Sequence, residues 1–294
     1  MRLHKKRSSL VMLATLAVAV LLLCGARNGP VSAGPGLFGL PSLIGADAQQ
    51  VICPRCTFVN ETVNWQILPR LAPFTLASGD GAPSQDTAVR LCHDTNALHV
   101  RFDATDIDII NNYTTCNSDI WNLETVEFFV APGPETPTVY HELDQSPNPG
   151  AYFASLIHNP NDKCAGIVGN LMSCPTVGVS WATGRVSNGW WATIVADFDV
   201  LVNLTGDARG WHSDPRQFGE QLSVLNPPVD NEPVEVPILF EREGRAPIPK
   251  VWRANFYRID AHANGTIEYS CLHSTLTNPA CFHVPSRMVG LLLV

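Results

Sequence analysis

The chain has 294 residues, 45% of them hydrophobic and only 16% charged, with 21 Gly, 23 Pro and a net charge of −8. That composition supplies a large core and excludes a disordered or collagen-like chain. With 19 Lys+Arg against 27 Asp+Glu there is no basic excess to release phosphate counterions, so no nucleic acid is expected as a partner.

In chain order, the first feature is a leader. Arg2, His4, Lys5, Lys6 and Arg7 precede an apolar run over residues 10–24, and Val31-Ser32-Ala33 supplies small residues for a peptidase cut. This predicts a signal peptide over 1–33 and a secreted product. An uncleaved anchor is the alternative, but the run falls short of the roughly 20 residues a span needs. Ala46-Asp47-Ala48 is a second cut site. Removing 1–33 leaves 14 basic against 27 acidic side chains, and no membrane association is expected after cleavage.

Residues 34–57 read as a linker or N-terminal extension, rich in Gly, Pro and Ala early on, with the domain beginning near Cys53 and occupying 58–294. Within it the dominant pattern is alternation with period two, the mark of strands with one face turned inward. Residues 89–92 and 98–103 flank a turn at 93–96 and predict a hairpin. Strands are also expected over 125–130, 151–156, 190–198 after Asn188-Gly189, 252–259, 266–271 and 289–294. No stretch keeps a helical period, so the expected fold is all-β, a single-domain antiparallel β-sandwich.

Eight cysteines follow the leader, an even number that suits an oxidised exported chain. Equal short spacings suggest the pairs Cys164 with Cys174 and Cys271 with Cys281, leaving Cys53, Cys56, Cys92 and Cys116 unassigned. Cys53-Pro54-Arg55-Cys56 lacks a second CxxC and a helix start, so it reads as structural rather than as a redox or zinc pair. Sequons at Asn60, Asn112, Asn203 and Asn264 mark expected glycosylation sites.

Neither HExxH nor GxSxG occurs, which leaves no support for the commoner hydrolase sites. Glu142 and Asp144 share a face of any strand that carries them, so they suit a solvated face, a glycosidase acid pair or calcium ligands. The run Asp103-Ala104-Thr105-Asp106-Ile107-Asp108 carries the same ambiguity, and Asp106 and Asp108 are the candidate calcium ligands. Trp121 sits in the polar string Ser118-Asp119-Ile120-Trp121-Asn122, where it is either a sugar-stacking platform or a plug in the sandwich end. Trp190, Trp191 and Trp252 lie within strands and are expected in the core.

Several strings together resemble a known family. Residues 117–129, Asn-Ser-Asp-Ile-Trp-Asn-Leu-Glu-Thr-Val-Glu-Phe-Phe, are similar to the polar loop, Trp and acidic strand of family 9 carbohydrate-binding modules. Tyr140-His141-Glu142, Gly189-Trp190-Trp191, the string from Trp252 to Asp260, and Phe282-His283-Val284-Pro285 resemble later landmarks in the same order. The resemblance implies a β-sandwich that binds a polysaccharide or oligosaccharide between aromatic rings, with structural calcium, often accessory to glycan breakdown. It assigns binding to Trp121 and Glu127, with Glu142, Arg253, Asn255 and Arg258 as hydroxyl-binding candidates. For Arg253, Asn255 and Arg258 a structural network with strand acids is the alternative reading. Leu272 stands where related sequences carry a Trp, which removes the second ring. Competing classes are a structural sandwich without sugar binding, a glycoside hydrolase using Glu127 or Glu142, and a haem domain ligated through Met172 or Met288.

Overall fold

The computed structural model describes residues 50–204, 238–242 and 244–294. The leader, both cut sites and residues 34–49 lie outside the described residues. The strands are β1 (Gln50–Cys53), β2 (Phe58–Val59), β3 (Thr62–Val63), β4 (Thr75–Leu76), β5 (Thr87–His93), β6 (Ala97–Thr105), β7 (Thr125–Pro132), β8 (Val139–Gln145) and β9 (Tyr152–His158). They continue with β10 (Val168–Leu171), β11 (Val179–Val186), β12 (Gly189–Asp197), β13 (Ile238–Arg242), β14 (Arg245–Pro249), β15 (Val251–Ala261), β16 (Ile267–Cys271) and β17 (Val289–Leu293). One helical turn, α1 (Phe198–Leu201), follows β12.

Two sheets make the sandwich. The larger runs β1-β17-β15-β7-β8-β9-β10, with β16 on the far half of β15 and β4 beyond it; the smaller runs β11-β12-β6-β5. The predicted hairpin is β5–β6, with Cys92 opposite His99, and Asp94 Oδ1 accepts from the amides of Asn96 and Ala97 to close its turn. At the Asn188-Gly189 turn, Gly189 has φ 153°, and a Cβ there would lie 2.0 Å from the Ala104 carbonyl oxygen. Only glycine fits.

Alternation builds the core. Leu98, Val100, Phe102 and Ala104 of β6 and Trp190, Ala192, Ile194 and Ala196 of β12 point inward to meet Val126, Phe128 and Val130 of β7 and Ala254 and Phe256 of β15. Phe256 ties the layers together, stacking on Phe128 at 5.2 Å and meeting the edge of Phe102 at 6.1 Å, contacts worth about 1 kcal/mol each beyond burial. The strand β1 pairs with β17 in parallel, so sheet structure begins inside the segment expected to be an extension, and one pairing departs from the antiparallel expectation.

The outer face of the larger sheet is also covered. Phe129, Tyr140, Ile157, Tyr257 and Ile259 form a second apolar cluster with Phe282 and Met288. This is why β7 and β15 are buried along their whole length. Trp190 and Trp252 are core residues as expected. Trp191 is not, being half-exposed beneath the Arg101 guanidinium at 4.8 Å.

The disulfides correct the expected pairing. They join Cys56 to Cys92, Cys116 to Cys174 and Cys164 to Cys281, while Cys53 and Cys271 are buried free thiols. Cys271 occupies β16 and packs into the outer cluster, and Cys53 lies in the sandwich core. Sequence spacing misled because strands distant in sequence are neighbours in the sheet. Asn60, Asn112 and Asn264 are exposed, Asn203 is half-buried, and Thr205 of its sequon lies outside the described residues.

Candidate functional site

The site lies on the outer face of the larger sheet. Glu127 on β7 is the register partner of Asp144 on β8, and Glu142 on β8 is the partner of Ser155 on β9. These residues share strand parity with Phe129 and Tyr140 of the outer cluster, so their side chains leave the sheet on that side. Glu127 is 2% exposed, Glu142 6% and Asp144 0%, and one carboxylate oxygen from each lies within 4.8 Å of the others. Burial pushes all three carboxyl groups up, Glu142 to about 8, and the neighbouring carboxylates add to the effect at Glu127 and Asp144.

Above these acids is a cavity of about 490 Å³, within the range of small-ligand sites. Glu127, Glu142 and Ser155 line its floor, and Trp121, Phe153, Tyr269 and Phe282 are among its walls. A single 3-10 turn, Ile120–Asn122, carries the half-exposed Trp121 ring. Ile120 is its fully buried anchor against Ala151 and Phe153, and the Trp121 ring meets the edge of Phe153 at 4.8 Å. Asn117 ties the same loop to the sheet by donating to the Met172 carbonyl at 2.8 Å and accepting from the Ala154 amide.

Phe282 stacks on Tyr257 of β15 at 4.5 Å and meets Tyr269 of β16 edge-on. The Cys164–Cys281 disulfide fixes this side, and both cysteines line the cavity. His283 is also in the wall. Asn159 donates to the Tyr140 hydroxyl, which also shares a hydrogen bond with His283 Nδ1 at 2.8 Å. His283 Nε2 faces Glu142 Oε1 at 3.9 Å. Burial pushes His283 down to about 4, so the ring is neutral.

Trp121, Glu127 and Glu142 are thus brought together, but the three β15 residues are not with them. Arg258 is on the inner face, fully buried, donating to Glu124, Asp106, Thr87 and the Thr105 carbonyl. Its expected sugar-binding role is corrected to the alternative, a structural network with strand acids. Asn255 is outward but buried, donating to the His273 carbonyl at 2.8 Å and accepting from the His273 amide. Arg253 approaches Thr136 Oγ1 at 3.5 Å. Neither Arg253 nor Asn255 lines the cavity.

Asp106 and Asp108 do not form a shared ligand set either. Asp106 clusters with Glu124 and Asp260, where the Arg258 guanidinium already holds the cation position at 3.0–3.3 Å from all three. Asp108 Oδ2 instead accepts from the Ala263 amide. Leu272 packs against the sandwich core, and Tyr269 and Phe282 supply the aromatic side that its identity had removed. Sequence reasoning missed Ser155, Tyr269 and Phe282 as cavity residues because their convergence depends on register and on the chain crossing the sheet after β16.

No family profile matches the chain. An extracellular protein of Arthroderma benhamiae is 33% identical over 84 residues, 28% of this chain and 37% of that protein, so the match spans well under half of the relative. Among solved structures, a candidate carbohydrate-binding protein from Bacteroides uniformis superposes with a TM-score of 0.58 at 11% identity, over 84% of this chain and 100% of that one. Family 9 carbohydrate-binding modules of Caldicellulosiruptor kristjanssonii, in complex with glucose and with cellotriose, give TM-scores of 0.47 and 0.45 at 10% and 12% identity. They cover 84% and 83% of this chain, and 96% and 93% of those modules. The fold is the β-sandwich that the Bacteroides protein also has.

Proposed function

We propose that this is a saccharide-binding module of an exported protein, seating a pyranose unit of a polysaccharide or oligosaccharide in the outer-face cavity. The observation that carries the reading is the Trp121 ring, half-exposed in a cavity whose floor is Glu127 and Glu142. An aromatic face takes the apolar C–H side of a sugar while the Glu127 and Glu142 carboxyl groups hydrogen-bond its hydroxyls. Among the described residues no Lys or Arg lines the cavity, which favours uncharged sugars as ligands. The Bacteroides neighbour's description and the extracellular relative support the same reading, and three disulfides suit export.

The test is a glycan array with insoluble-polysaccharide pull-down, using the secreted, oxidised chain and Trp121→Ala. Binding should fall about tenfold or more in the variant, a loss of ~1.4 kcal/mol, with an unchanged circular dichroism spectrum. Binding to no glycan by a folded chain would leave only the structural reading.

A further inference from the structure

The smaller sheet carries a cavity of its own on its outer face. Arg90 of β5 and Arg101 of β6 are register partners. With Asp103 they stand on the side opposite Leu98, Val100 and Phe102, which point into the core. The segment from Cys56 to Leu68 is laid against this face. The Cys56–Cys92 disulfide ties it to β5, the Cys56 amide donates to the His93 carbonyl at 2.8 Å, and Val63 and Leu68 pack with Cys92. Between segment and sheet lies a cavity of about 630 Å³, again the size of a small-ligand site. A single 3-10 turn, Trp65–Ile67, places Trp65 in its wall, as the turn Ile120–Asn122 places Trp121 over the larger sheet. Asn64 and Gln66 flank Trp65 in the chain and line the same cavity.

Charge separates the two cavities. Among the described residues the charged lining here is Arg90, Arg101 and Asp103, a net positive site on a chain of net charge −8. Asp103 bridges the pair, accepting from Arg90 Nη1 and from Arg101 Nε at 2.9 Å. Each guanidinium carries five N–H donors and one carboxylate offers about four acceptor positions, so Asp103 cannot satisfy both forks. The Arg90 and Arg101 side chains keep 24% and 21% of their surface exposed. Arg101 is also held over the Trp191 ring at 4.8 Å, which fixes its fork before a ligand arrives. We infer that this cavity is a second saccharide site, specific for a sugar unit that carries a carboxylate. Arg90 and Arg101 take the carboxylate, the Trp65 ring takes the apolar C–H face of the pyranose, and the Asn64 and Gln66 amides take hydroxyls. A planar fork matches a planar carboxylate through two parallel hydrogen bonds, and this selects a uronate over a neutral sugar of the same shape.

This site goes beyond the Trp121 reading and is tested apart from it, because its ligands are acidic and its residues lie on the other sheet. The secreted, oxidised full chain is titrated by calorimetry with oligomers of galacturonate, glucuronate and mannuronate, and with their neutral methyl esters. Arg90→Gln and Trp65→Ala are run beside it, and so is Arg185→Gln, which removes an exposed arginine at the end of β11 away from the cavity. At least one free acid should bind, its ester should bind tenfold or more weakly, and Arg90→Gln and Trp65→Ala should each lose tenfold or more. Arg185→Gln should match the wild type, which separates a built site from general attraction of a polyanion. The comparison of acid with ester uses the wild type alone, so it decides even where a variant fails to fold. No binding of any uronate by the folded wild type, equal binding of acid and ester, or unchanged affinity in folded Arg90→Gln overturns the inference. Neutral-polysaccharide binding through Trp121 would stand in each of those cases, and its loss in Trp121→Ala would leave this site untouched.

Discussion

Arg258 and Glu124 meet between the two sheets, with Arg258 Nη2 donating to Glu124 Oε1 at 3.0 Å and both side chains wholly buried. Glu124 also accepts from Trp190 Nε1 and the Ala261 amide, so one carboxylate joins β12 of the smaller sheet to β15 of the larger. Replacing Arg258 by Met should cost about 3–5 kcal/mol, because it strands buried acids without their cation. Denaturant midpoints should show that loss, and Glu124→Gln on the Arg258→Met background should recover part of it.

The same network sets a pH dependence. Burial, opposed by Arg258 and reinforced by Asp106 and Asp260, pushes Glu124 up to about 8. The unfolded chain releases that proton near pH 4.3, so across the interval the native state holds more protons and stability falls as pH rises. Burial pushes His273 down, and this opposes the trend only below about pH 6.5, where the unfolded histidine protonates. Unfolding free energy should therefore fall between pH 6.5 and 8, and Glu124→Gln should flatten the slope by up to about 1.4 kcal/mol per pH unit. An unaltered slope would place the proton elsewhere.

Disulfide mapping checks the topology directly. Peptide mass spectrometry without reduction should return Cys56–Cys92, Cys116–Cys174 and Cys164–Cys281. Cys53 and Cys271 should resist alkylation until the chain is denatured, since both are buried and burial pushes the Cys271 thiol up to about 12 and Cys53 higher still. A Cys164–Cys174 or Cys271–Cys281 peptide would contradict the structure.

Legibility in the sequence followed the physics of each feature. The β5–β6 hairpin, β7, β12, β15 and β17 were readable because side chains alternate with the pleat. The strand β8 showed no clean alternation: His141, Glu142 and Asp144 are all buried, on both faces, and only the second layer over the sheet explains that. At the site, Trp121 was visible because a tryptophan in a polar loop violates the local pattern, whereas Glu127 was reached only through the family resemblance of its strand. Arg258 broke the pattern equally, yet it serves the core, because residue type does not tell inner from outer parity. Ser155, Tyr269 and Phe282 gave no signal, since their role comes from register and from the crossing after β16.

The two half-exposed tryptophans make opposite predictions. Trp191 on β12 has Arg101 over its ring at 4.8 Å, and the position of a Cβ on Gly184 would lie 2.7 Å from its Cζ2. Its faces are committed to the protein, the guanidinium supplying a cation–π contact and the bare glycine allowing close approach of the backbone. Trp121 meets the edge of Phe153 and lines the cavity. Trp191→Ala should therefore lower stability by about 1–3 kcal/mol while polysaccharide pull-down stays within twofold of wild type. Trp121→Ala should reverse the pattern, losing tenfold or more in binding at little cost in melting temperature. Equal binding losses in both variants would show that stacking at the outer-face cavity is not what holds the saccharide.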